Sequence, residues 1–286
     1  MSNIQIMEEE RGKLWRTFKK NKTALVGTVI IIIVIAVAIL APWISPHDPL
    51  EQNIMHRLKP PDRAYPLGTD EYGRDVLSRV LWGTRVSLTI GILSILFGLV
   101  VGTAMGTVAG YRGAILGSII MRMVDVLLSF PVLISGILVV AILGPGMDKL
   151  ILTMGIVFAP RFARLAYGPT LVVKEREYVD SARVIGVSNL RILTHYLLPN
   201  IFGGVLVAGT LWVGTAILTE ASLSFLGLGV SPPTPTWGNM IKSGIDCLTT
   251  APWLSIFPGL SILTTVLAIN MIGDGLRDIT DPKLRI

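Results

Sequence analysis

The sequence predicts an all-α membrane protein with six transmembrane helices. Hydrophobic residues make up 51% of the 286 positions, charged residues only 15%, and the mean hydropathy is +0.66. Soluble domains average about 25% charged residues. Six spans of about 20 residues each, with their loops, fit a chain of this length. The net charge of +6 does not indicate nucleic-acid binding, because the basic residues lie between apolar runs rather than on one soluble face.

Apolar runs define the predicted spans, which cover residues 24–44, 86–111, 116–143, 150–168, 201–228 and 253–273. The first run follows a basic segment, as the core of a signal peptide would. Its charge-free length exceeds the ~7–15 residues of a signal core, so we expect a retained span. The single cysteine, Cys247, excludes an internal disulfide and a cysteine-based zinc site.

The positive-inside rule sets the predicted orientation. Most of the 25 lysines and arginines lie in the N-terminal tail, around the loop after the fourth span and at the C-terminus. These segments are therefore predicted to be cytoplasmic. The predicted order is a cytoplasmic N-terminal tail (1–23), the first span (24–44), an extracytoplasmic loop (45–85), a five-helix core (86–273) with a cytoplasmic loop (174–200), and a cytoplasmic C-terminal tail (274–286).

The extracytoplasmic loop carries an apolar stripe at helical spacing after Gly73. Its members are Val76, Leu77, Val80 and Leu81. The stripe predicts a short amphipathic helix on the outer membrane surface, with Asp75 and Arg79 one turn apart on another side. A second outer loop is rich in proline, and its Trp237 and Trp253 are expected to anchor it at the headgroup level.

The second predicted span contains glycines at a regular spacing of four residues, which are Gly98, Gly102, Gly106 and Gly110. Glycines at i, i+4 form one stripe on a helix, where another backbone can approach closely. The stripe predicts helix packing within the chain. A subunit contact or a surface of the translocation path stays open as an alternative.

Acidic residues within spans need a reason, because an intramembrane charge costs about 2.5–3.5 kcal/mol at the bilayer centre. Arg122 and Asp125 are three residues apart on one helix face, which predicts a structural ion pair at the membrane boundary. Glu220 lies among small and hydroxyl residues. A hydrogen-bonded structural role and a path-lining role both stay open for it. Other spans contain prolines that predict kinks, namely Pro131, Pro160 and Pro258.

The segment 177–200 is the longest polar interval between two apolar spans in the second half of the chain. Its first apolar face consists of Tyr178, Ala182 and Ile185, at i, i+4 and i+7. Gly186 can end this helix as its C′ residue. Ser188 or Asn189 can cap a second helix, which should stop before Pro199. The pattern predicts a helix, a turn and a second helix, or alternatively an ordinary amphipathic helix at the membrane interface.

Motifs of hydrolytic enzymes are absent from the sequence. It contains no HExxH, no GxSxG and no pair of intramembrane aspartates. Its three histidines, His47, His56 and His195, lie outside the predicted spans. It also lacks GxxxxGK followed by Ser or Thr, so we expect no P-loop, no catalytic site and no metal site in this chain.

The spacing within 177–200 resembles the EAA loop of ABC-importer permeases, whose pattern is E-A-A-x3-G-x9-I-x-L-P. The matching positions are Asp180, Ser181, Ala182, Gly186, Tyr196, Leu198 and Pro199. All offsets agree, and three residues depart from the pattern: Asp for Glu, Ser for Ala and Tyr for Ile. Tyr196 keeps the apolar bulk of isoleucine but adds a hydroxyl. Of the three departures, it is the one that changes the packing expected from the family pattern most.

Further stretches narrow the resemblance to the C-type permease subunit of the dipeptide/oligopeptide/nickel importers. They are LGTDEYGRDVLSR (67–79), AGYRG (109–113), RMVDVLLSFP (122–131), TEASLSFLGLG (219–229), PPTPTWGNM (232–240) and GDGLRDITDP (273–282). The resemblance implies a bacterial-type inner-membrane protein, surrounded by lipid, with a five-helix core similar to the methionine-importer permease fold and one extra N-terminal helix.

The resemblance also implies partners. These are a second homologous permease subunit, two cytosolic ATPase subunits that hold ATP and Mg²⁺, and an extracytoplasmic substrate-binding protein. The ATPases would dock on the loop around 180–188 and pass their closure to the spans, which drives inward transport. The coupling residues that the resemblance implies are Glu177, Tyr178, Asp180, Ser181, Ala182, Arg183, Gly186, Val187, Ser188, Leu198 and Pro199.

Di- or oligopeptides are the expected substrates, with nickel or glutathione as alternatives for the same importer type. An ion-coupled transporter acting alone is a second hypothesis. That class favours inverted repeats and several intramembrane ionisable residues, and the sequence has no obvious repeat. A membrane scaffold without transport activity is a third.

Overall fold

The computed structural model describes residues 21–280 and is helical almost throughout. Outside their helices these residues form turns and loops, with one isolated β-bridge between Thr69 and Asp75. The long and short α-helices are, in chain order, α1 (Lys22–Ile44), α2 (Val76–Arg112), α3 (Ala114–Leu128), α4 (Val132–Leu143), α5 (Met147–Val173), α6 (Glu177–Val184), α7 (Asn189–Phe225), α8 (Trp237–Ile245) and α9 (Trp253–Thr280). The predicted tail residues 1–20 and 281–286 lie outside the described residues.

Five of these helices, α1, α2, α5, α7 and α9, are long and apolar enough to cross a membrane. The helices α3 and α4 add a sixth span if they are counted as one, and they meet at a bend of 99°. The predicted span 116–143 is thus divided at Pro131, where the sequence predicts a kink, and the observed bend is sharp enough to make two separate helices. Pro131 lacks a backbone N–H and disfavours helical geometry in the residue before it, so one helix ends at Leu128 and the next begins at Val132.

The chain divides into two compact units. Of the described residues, the first comprises 21–88, 210–218 and 233–280, and the second comprises 89–209 and 219–232. The long helices α2 and α7 therefore contribute residues to both units. The loop 174–200 lies wholly within the second unit.

In the first unit, α1 packs along α9. Gly27 permits the close approach, because a Cβ at that position would lie 2.7 Å from the Ala268 carbonyl oxygen and 2.8 Å from Met271 Cβ. Asn21 caps α1 by accepting a hydrogen bond from the Ala24 N–H at 3.1 Å. The Asn21 side-chain amide also donates to Asp278 at 3.1 Å, which ties the beginning of α1 to the end of α9.

The stretch 67–79 supplies a buried charge cluster to the first unit. One Asp70 oxygen accepts hydrogen bonds from the backbone N–H groups of Tyr72 and Arg74. The other lies 2.6 Å from Arg74 Nε and 3.4 Å from Arg79 Nε. These three charged side chains are only 6% to 7% exposed. The Asp70 carboxylate therefore pairs with both guanidinium groups, and Glu71 Oε1 places a second carboxylate 3.6 Å from Arg74 Nη2. Charged groups that are buried need partners of this kind.

The helix α2 begins at Val76 and runs without a break, so the separate amphipathic helix predicted on the outer surface is wrong. Two residues of its apolar stripe are packed inside protein instead of lying flat on lipid. Val76 and Val80 are buried in a cluster with Met240, Ala251 and Leu254. Periodicity alone indicates an apolar face, and it does not distinguish the first turns of a long helix from a short surface helix.

The cap of α2 and the two outer tryptophans also differ from their predictions. Asp75 caps α2 by accepting hydrogen bonds from the Ser78 N–H (2.9 Å) and hydroxyl (2.6 Å), and Asp70, not Asp75, is the ion-pair partner of Arg79. Trp237 is only 1% exposed, and Trp253 is partly buried. Their indole N–H groups donate to the backbone carbonyls of Val80 (3.3 Å) and Thr69 (3.2 Å), respectively. Headgroup anchoring is therefore the wrong interpretation of Trp237.

In the second unit, the glycine stripe of α2 faces the backbone of α5. Added Cβ atoms at Gly98, Gly102 and Gly106 would lie 3.1, 2.1 and 2.1 Å from the carbonyl oxygens of Gly155, Ala159 and Ala163. A Cβ at Gly110 would lie 2.8 Å from Thr170 Cβ. Separations near 2 Å are sterically forbidden, so only glycine permits this contact between the two helices.

We predict that Gly102→Ala weakens the packing of α2 on α5. The added methyl group would collide with the Ala159 carbonyl, and overpacking of this kind costs about 1–3 kcal/mol. The matched control is Gly204→Ala in α7, where the structure places no described atom within 4 Å of the added Cβ. Thermal unfolding in detergent should give a lower Tm for Gly102→Ala only, and equal Tm values for the two variants would contradict the packing.

We also predict that Asp70→Asn destabilises the first unit, because it removes the carboxylate paired with buried Arg79 and leaves Arg74 with Glu71 at 3.6 Å. Removal of one partner from a buried ion pair costs about 3–5 kcal/mol. The control is Asp62→Asn, since Asp62 forms an exposed pair with Lys59 at 2.6 Å, and exposed pairs contribute little. Thermal unfolding should give a clearly lower Tm for Asp70→Asn than for Asp62→Asn. Similar Tm values for the two variants would argue against the buried cluster.

Candidate functional site

The loop 174–200 contains a helix, a tight turn and the beginning of α7. The helix α6 ends in a Schellman motif in which Gly186 occupies the C′ position, with φ of +82°. The Gly186 N–H donates to the Arg183 carbonyl at 3.0 Å, and the Val187 N–H donates to the Ala182 carbonyl at 3.0 Å. Glycine adopts this left-handed conformation without steric cost, so the turn between the two helices depends on it.

The buried face of α6 consists of Val179 and Ala182, which are 0% and 3% exposed. Val179 packs in an apolar cluster with Ile192 of α7. The predicted face of Tyr178, Ala182 and Ile185 is therefore correct at Ala182 alone, since Ile185 is 77% exposed and Tyr178 is 43% exposed. In the sequence, the i, i+3 spacing of the apolar residues Val179 and Ala182 is the pattern that indicates the correct buried face.

Three large apolar side chains on either side of the turn are left mostly exposed by the described residues 21–280. They are Val184, Ile185 and Leu190, exposed by 87%, 77% and 71%, and we call them the apolar tip. The other exposed side of α6 is polar, and the Ser181 hydroxyl there donates to the Glu177 carbonyl at 2.9 Å. α6 thus has one face packed against the protein and an apolar tip that projects away from it.

Polar contacts connect the two arms of the loop to the end of α2. Arg183 Nη1 lies 2.7 Å from Asp180 Oδ1, and the Arg183 guanidinium carbon lies 5.5 Å from the centre of the Tyr111 ring. The Tyr111 hydroxyl donates to Asn189 Oδ1 at 2.6 Å. In the sequence, Tyr111 belongs to the AGYRG stretch, and its place at the end of an apolar run is the signal that marks it.

Tyr196, where the family pattern has isoleucine, packs against another tyrosine. Its ring stacks with that of Tyr178 at a centroid distance of 6.4 Å and an interplanar angle of 19°. The Asn200 side-chain amide donates to the Tyr196 carbonyl at 2.6 Å. The aromatic substitution thereby connects the beginning of α6 to α7 by a contact that isoleucine could not make.

The helix α7 does not stop before Pro199, so that prediction is wrong. Residues Ile192–Leu197 form a π-helical turn, and Leu198 and Pro199 begin the regular helix that follows. Proline has no N–H and its ring crowds the carbonyl of the preceding turn, and a wider turn separates these groups. Ser188 occupies the N-cap position of α7 without a capping bond from its side chain.

The ionisable residues of the spans have identifiable surroundings. Asp125 forms an ion pair with Arg164 of α5, so the predicted ion pair between Asp125 and Arg122 is wrong. Both members of this pair are about half exposed, and Arg122 is exposed. Glu220 is fully buried and accepts a hydrogen bond from the Ser224 hydroxyl at 2.7 Å, one turn further along α7.

Solved structures share this arrangement of helices. A chain of the MetNI methionine ABC transporter in an inward-facing conformation aligns with a TM-score of 0.56 at 19% identity, over 72% of this chain and 98% of that chain. A second inward-facing crystal form gives a TM-score of 0.54 at 21% identity, over 71% and 97% of the two chains. The chain therefore shares its fold with a chain of the MetNI methionine ABC transporter.

Comparison by sequence defines the family. Residues 82–286 match the binding-protein-dependent transport system inner membrane components, and residues 12–61 match the N-terminal TM domain of oligopeptide transport permease C. The dipeptide transport system permease protein DppC of Haemophilus influenzae is 42% identical over 96% of this chain and 95% of its own length. The glutathione transport system permease protein GsiD of Pectobacterium atrosepticum is 43% identical over 96% and 91%.

The chain belongs to the binding-protein-dependent transport system inner membrane component family. It is a multi-pass ABC-importer permease of the dipeptide/oligopeptide group, and a permease subunit of this family is not itself the catalytic one. The resemblance drawn from the motifs is confirmed, and so is the all-helical membrane fold.

We predict that Gly186→Val frays the end of α6 and that Gly186→Asn does so much less. No described atom lies within 4 Å of a Cβ at this position, so the cost comes from the left-handed backbone alone, about 1–2 kcal/mol, and asparagine tolerates that conformation. Hydrogen–deuterium exchange should report roughly tenfold faster exchange at residues 186 and 187 in the valine variant. Unchanged protection would show that the Schellman motif does not hold the turn.

Proposed function

We propose that this permease carries di- or oligopeptides into the cell and that partner ATPases drive it through the loop 174–200. Support for the substrate comes from relatives that are named for dipeptide or di/tripeptide transport, at 41% to 42% identity over 95% to 96% of this chain. Glutathione is the second candidate, because a relative named for its transport is 43% identical. Glutathione is itself a tripeptide, so both candidates present an amino group, amide bonds and a carboxylate.

The apolar tip is the observation that carries the coupling role. Val184, Ile185 and Leu190 project from a segment that the charge pattern assigns to the cytoplasm, where exposed apolar groups indicate an interaction surface. An ATPase groove would receive the tip as other grooves receive the apolar face of a short helix. The polar side of α6, with Glu177, Asp180 and Ser181, would then lie at the rim of the contact.

The opposite face of α6 explains how a docked ATPase could move the permease. Val179 and Ala182 are buried against the protein, and the Schellman motif at Gly186 joins α6 rigidly to α7. When ATP and Mg²⁺ bring the two ATPase subunits together, α6 would move with them as a rigid body and pull on the helices behind it. A second homologous permease completes the path, and an extracytoplasmic binding protein delivers the substrate.

Orientation follows from the same proposal. The N-terminus, the loop 174–200 and the C-terminus lie in the cytoplasm, and the loop 45–75 faces outward. The ion-coupled alternative has less support, because Asp125 is neutralised by Arg164 and Glu220 is bonded to Ser224. These contacts favour structural roles over a proton relay. A role of Glu220 beside the substrate path is compatible with its burial.

We predict that Ile185→Asp abolishes stable binding of the ATPase subunits. The substitution puts a charge in the middle of an apolar contact, and interface residues of this kind cost more than 2 kcal/mol when lost. The matched control is Ile185→Met, which keeps the apolar volume. Co-purification from membranes should recover ATPase with the methionine variant and lose it with the aspartate variant.

Equal recovery with both variants, at equal permease levels, would contradict docking at the tip. The substrate is tested separately by titrating the partner binding protein with dipeptides, oligopeptides, glutathione and nickel chelates. Saturable binding of glutathione alone would replace the peptide proposal without affecting the coupling one.

A further inference from the structure

Tyr111 lies in the last turn of α2 and contacts both helical arms of the loop 174–200, which are α6 and the beginning of α7. Its hydroxyl donates to Asn189, the first residue of α7, at 2.6 Å. Its ring lies 5.5 Å from the guanidinium carbon of Arg183 in the last turn of α6. The ring also packs against the apolar cluster that contains Val179 and Ile192. One side chain therefore bridges the helix before the Gly186 turn and the helix after it.

The contact with α6 is oriented by a further charge. Asp180 holds the Arg183 guanidinium at 2.7 Å and so limits the directions it can take. A guanidinium within about 6 Å of an aromatic ring is attracted to the ring face. Asp180 is the position that aligns with the glutamate of the EAA pattern, and in this chain it acts on Tyr111 through Arg183.

The helix behind Tyr111 cannot yield easily. Gly102 and Gly106 bring the α2 backbone against the Ala159 and Ala163 carbonyls of α5. Any displacement that reaches Tyr111 is therefore applied to two helices packed backbone to backbone. The stack of Tyr178 on Tyr196 connects α6 to α7 instead, so it does not replace this contact.

We propose that Tyr111 is a positioning residue that sets the angle between α6 and α7 and passes the displacement of α6 to the α2–α5 pair. The proposal rests on the coupling role of the loop 174–200. In this proposal Tyr111 acts through its contacts with Asn189 and Arg183 rather than by touching the ATPase or the substrate.

The test uses the complete importer in liposomes, with its ATPases and binding protein, and a radiolabelled dipeptide as the transported probe. Tyr111→Phe removes the hydroxyl and keeps the ring. We expect the number of peptides moved per ATP hydrolysed to fall about two- to tenfold, the range of one hydrogen bond, while ATPase co-purification stays unchanged. Asn189→Ala should give a similar fall, and the double variant should be no worse than either single variant, because both remove the same bond.

The matched control is Tyr167→Phe. Tyr167 packs in the apolar cluster of α2, α3 and α5, and its hydroxyl has no hydrogen-bond partner among the described residues. The control should leave transport per ATP unchanged. Additive losses in the double variant, or an equal loss in the control, would overturn the proposal. Loss of ATPase binding in Tyr111→Phe would assign Tyr111 to the docking surface instead.

A second measurement needs neither peptide nor hydrolysis. Spin labels at Val184 and Ile115, in an importer with Cys247→Ser, report the distance from the tip to the beginning of α3. Tyr111→Phe should broaden that distance distribution, and Tyr167→Phe should not. If ATPase binding survives Ile185→Asp, the coupling role fails. The spin-label result then still decides whether Tyr111 holds the angle of α6.

Discussion

The backbone contact between α2 and α5 supports everything else in the second unit. Glycines at every fourth position of α2 allow the carbonyls of α5 to approach within distances that any side chain would block. In a membrane, helix association depends on such close packing, because lipid provides no hydrophobic drive between helices. The loop 174–200 is attached to this pair through Tyr111 and the cluster around Val179. Under the proposed coupling role, a loosely packed α2 would leave the loop without a firm support for the movement it transmits.

The loop 174–200 has three structural features that bear on its role. Its buried face is small, its turn is closed by backbone hydrogen bonds, and its most exposed residues are apolar. A segment built only to connect two spans would expose polar side chains and would not need the defined turn at Gly186. The combination is what a detachable contact requires: firm attachment on one side and an apolar surface offered to a partner on the other.

The sequence predicted most of this architecture through local chemistry. Five spans, the glycine stripe and the turn at Gly186 depend on composition, spacing and φ preference, which can be read locally. Other features depend on distant neighbours. Asp125 forms its ion pair with Arg164 rather than Arg122, because α5 places the Arg164 guanidinium next to it. Trp237 is buried because Gly83 leaves room for its ring. The apolar residues of 178–185 are compatible with two different buried faces of a helix. The packing of α7 against α6 determines that Val179 is buried and Ile185 is exposed. Pro199 is tolerated because six residues of π-helix precede it.

Docking of the ATPase at the apolar tip is the central proposal for this protein. Site-directed cross-linking tests it most directly: a cysteine at Ile185, in a chain with Cys247→Ser, is treated with a short bifunctional reagent in membranes that contain the whole importer. Docking at the tip predicts an adduct between this chain and an ATPase subunit, and none from a cysteine at the comparably exposed Ile142 (83%). An adduct from Ile142 and none from Ile185 would contradict it.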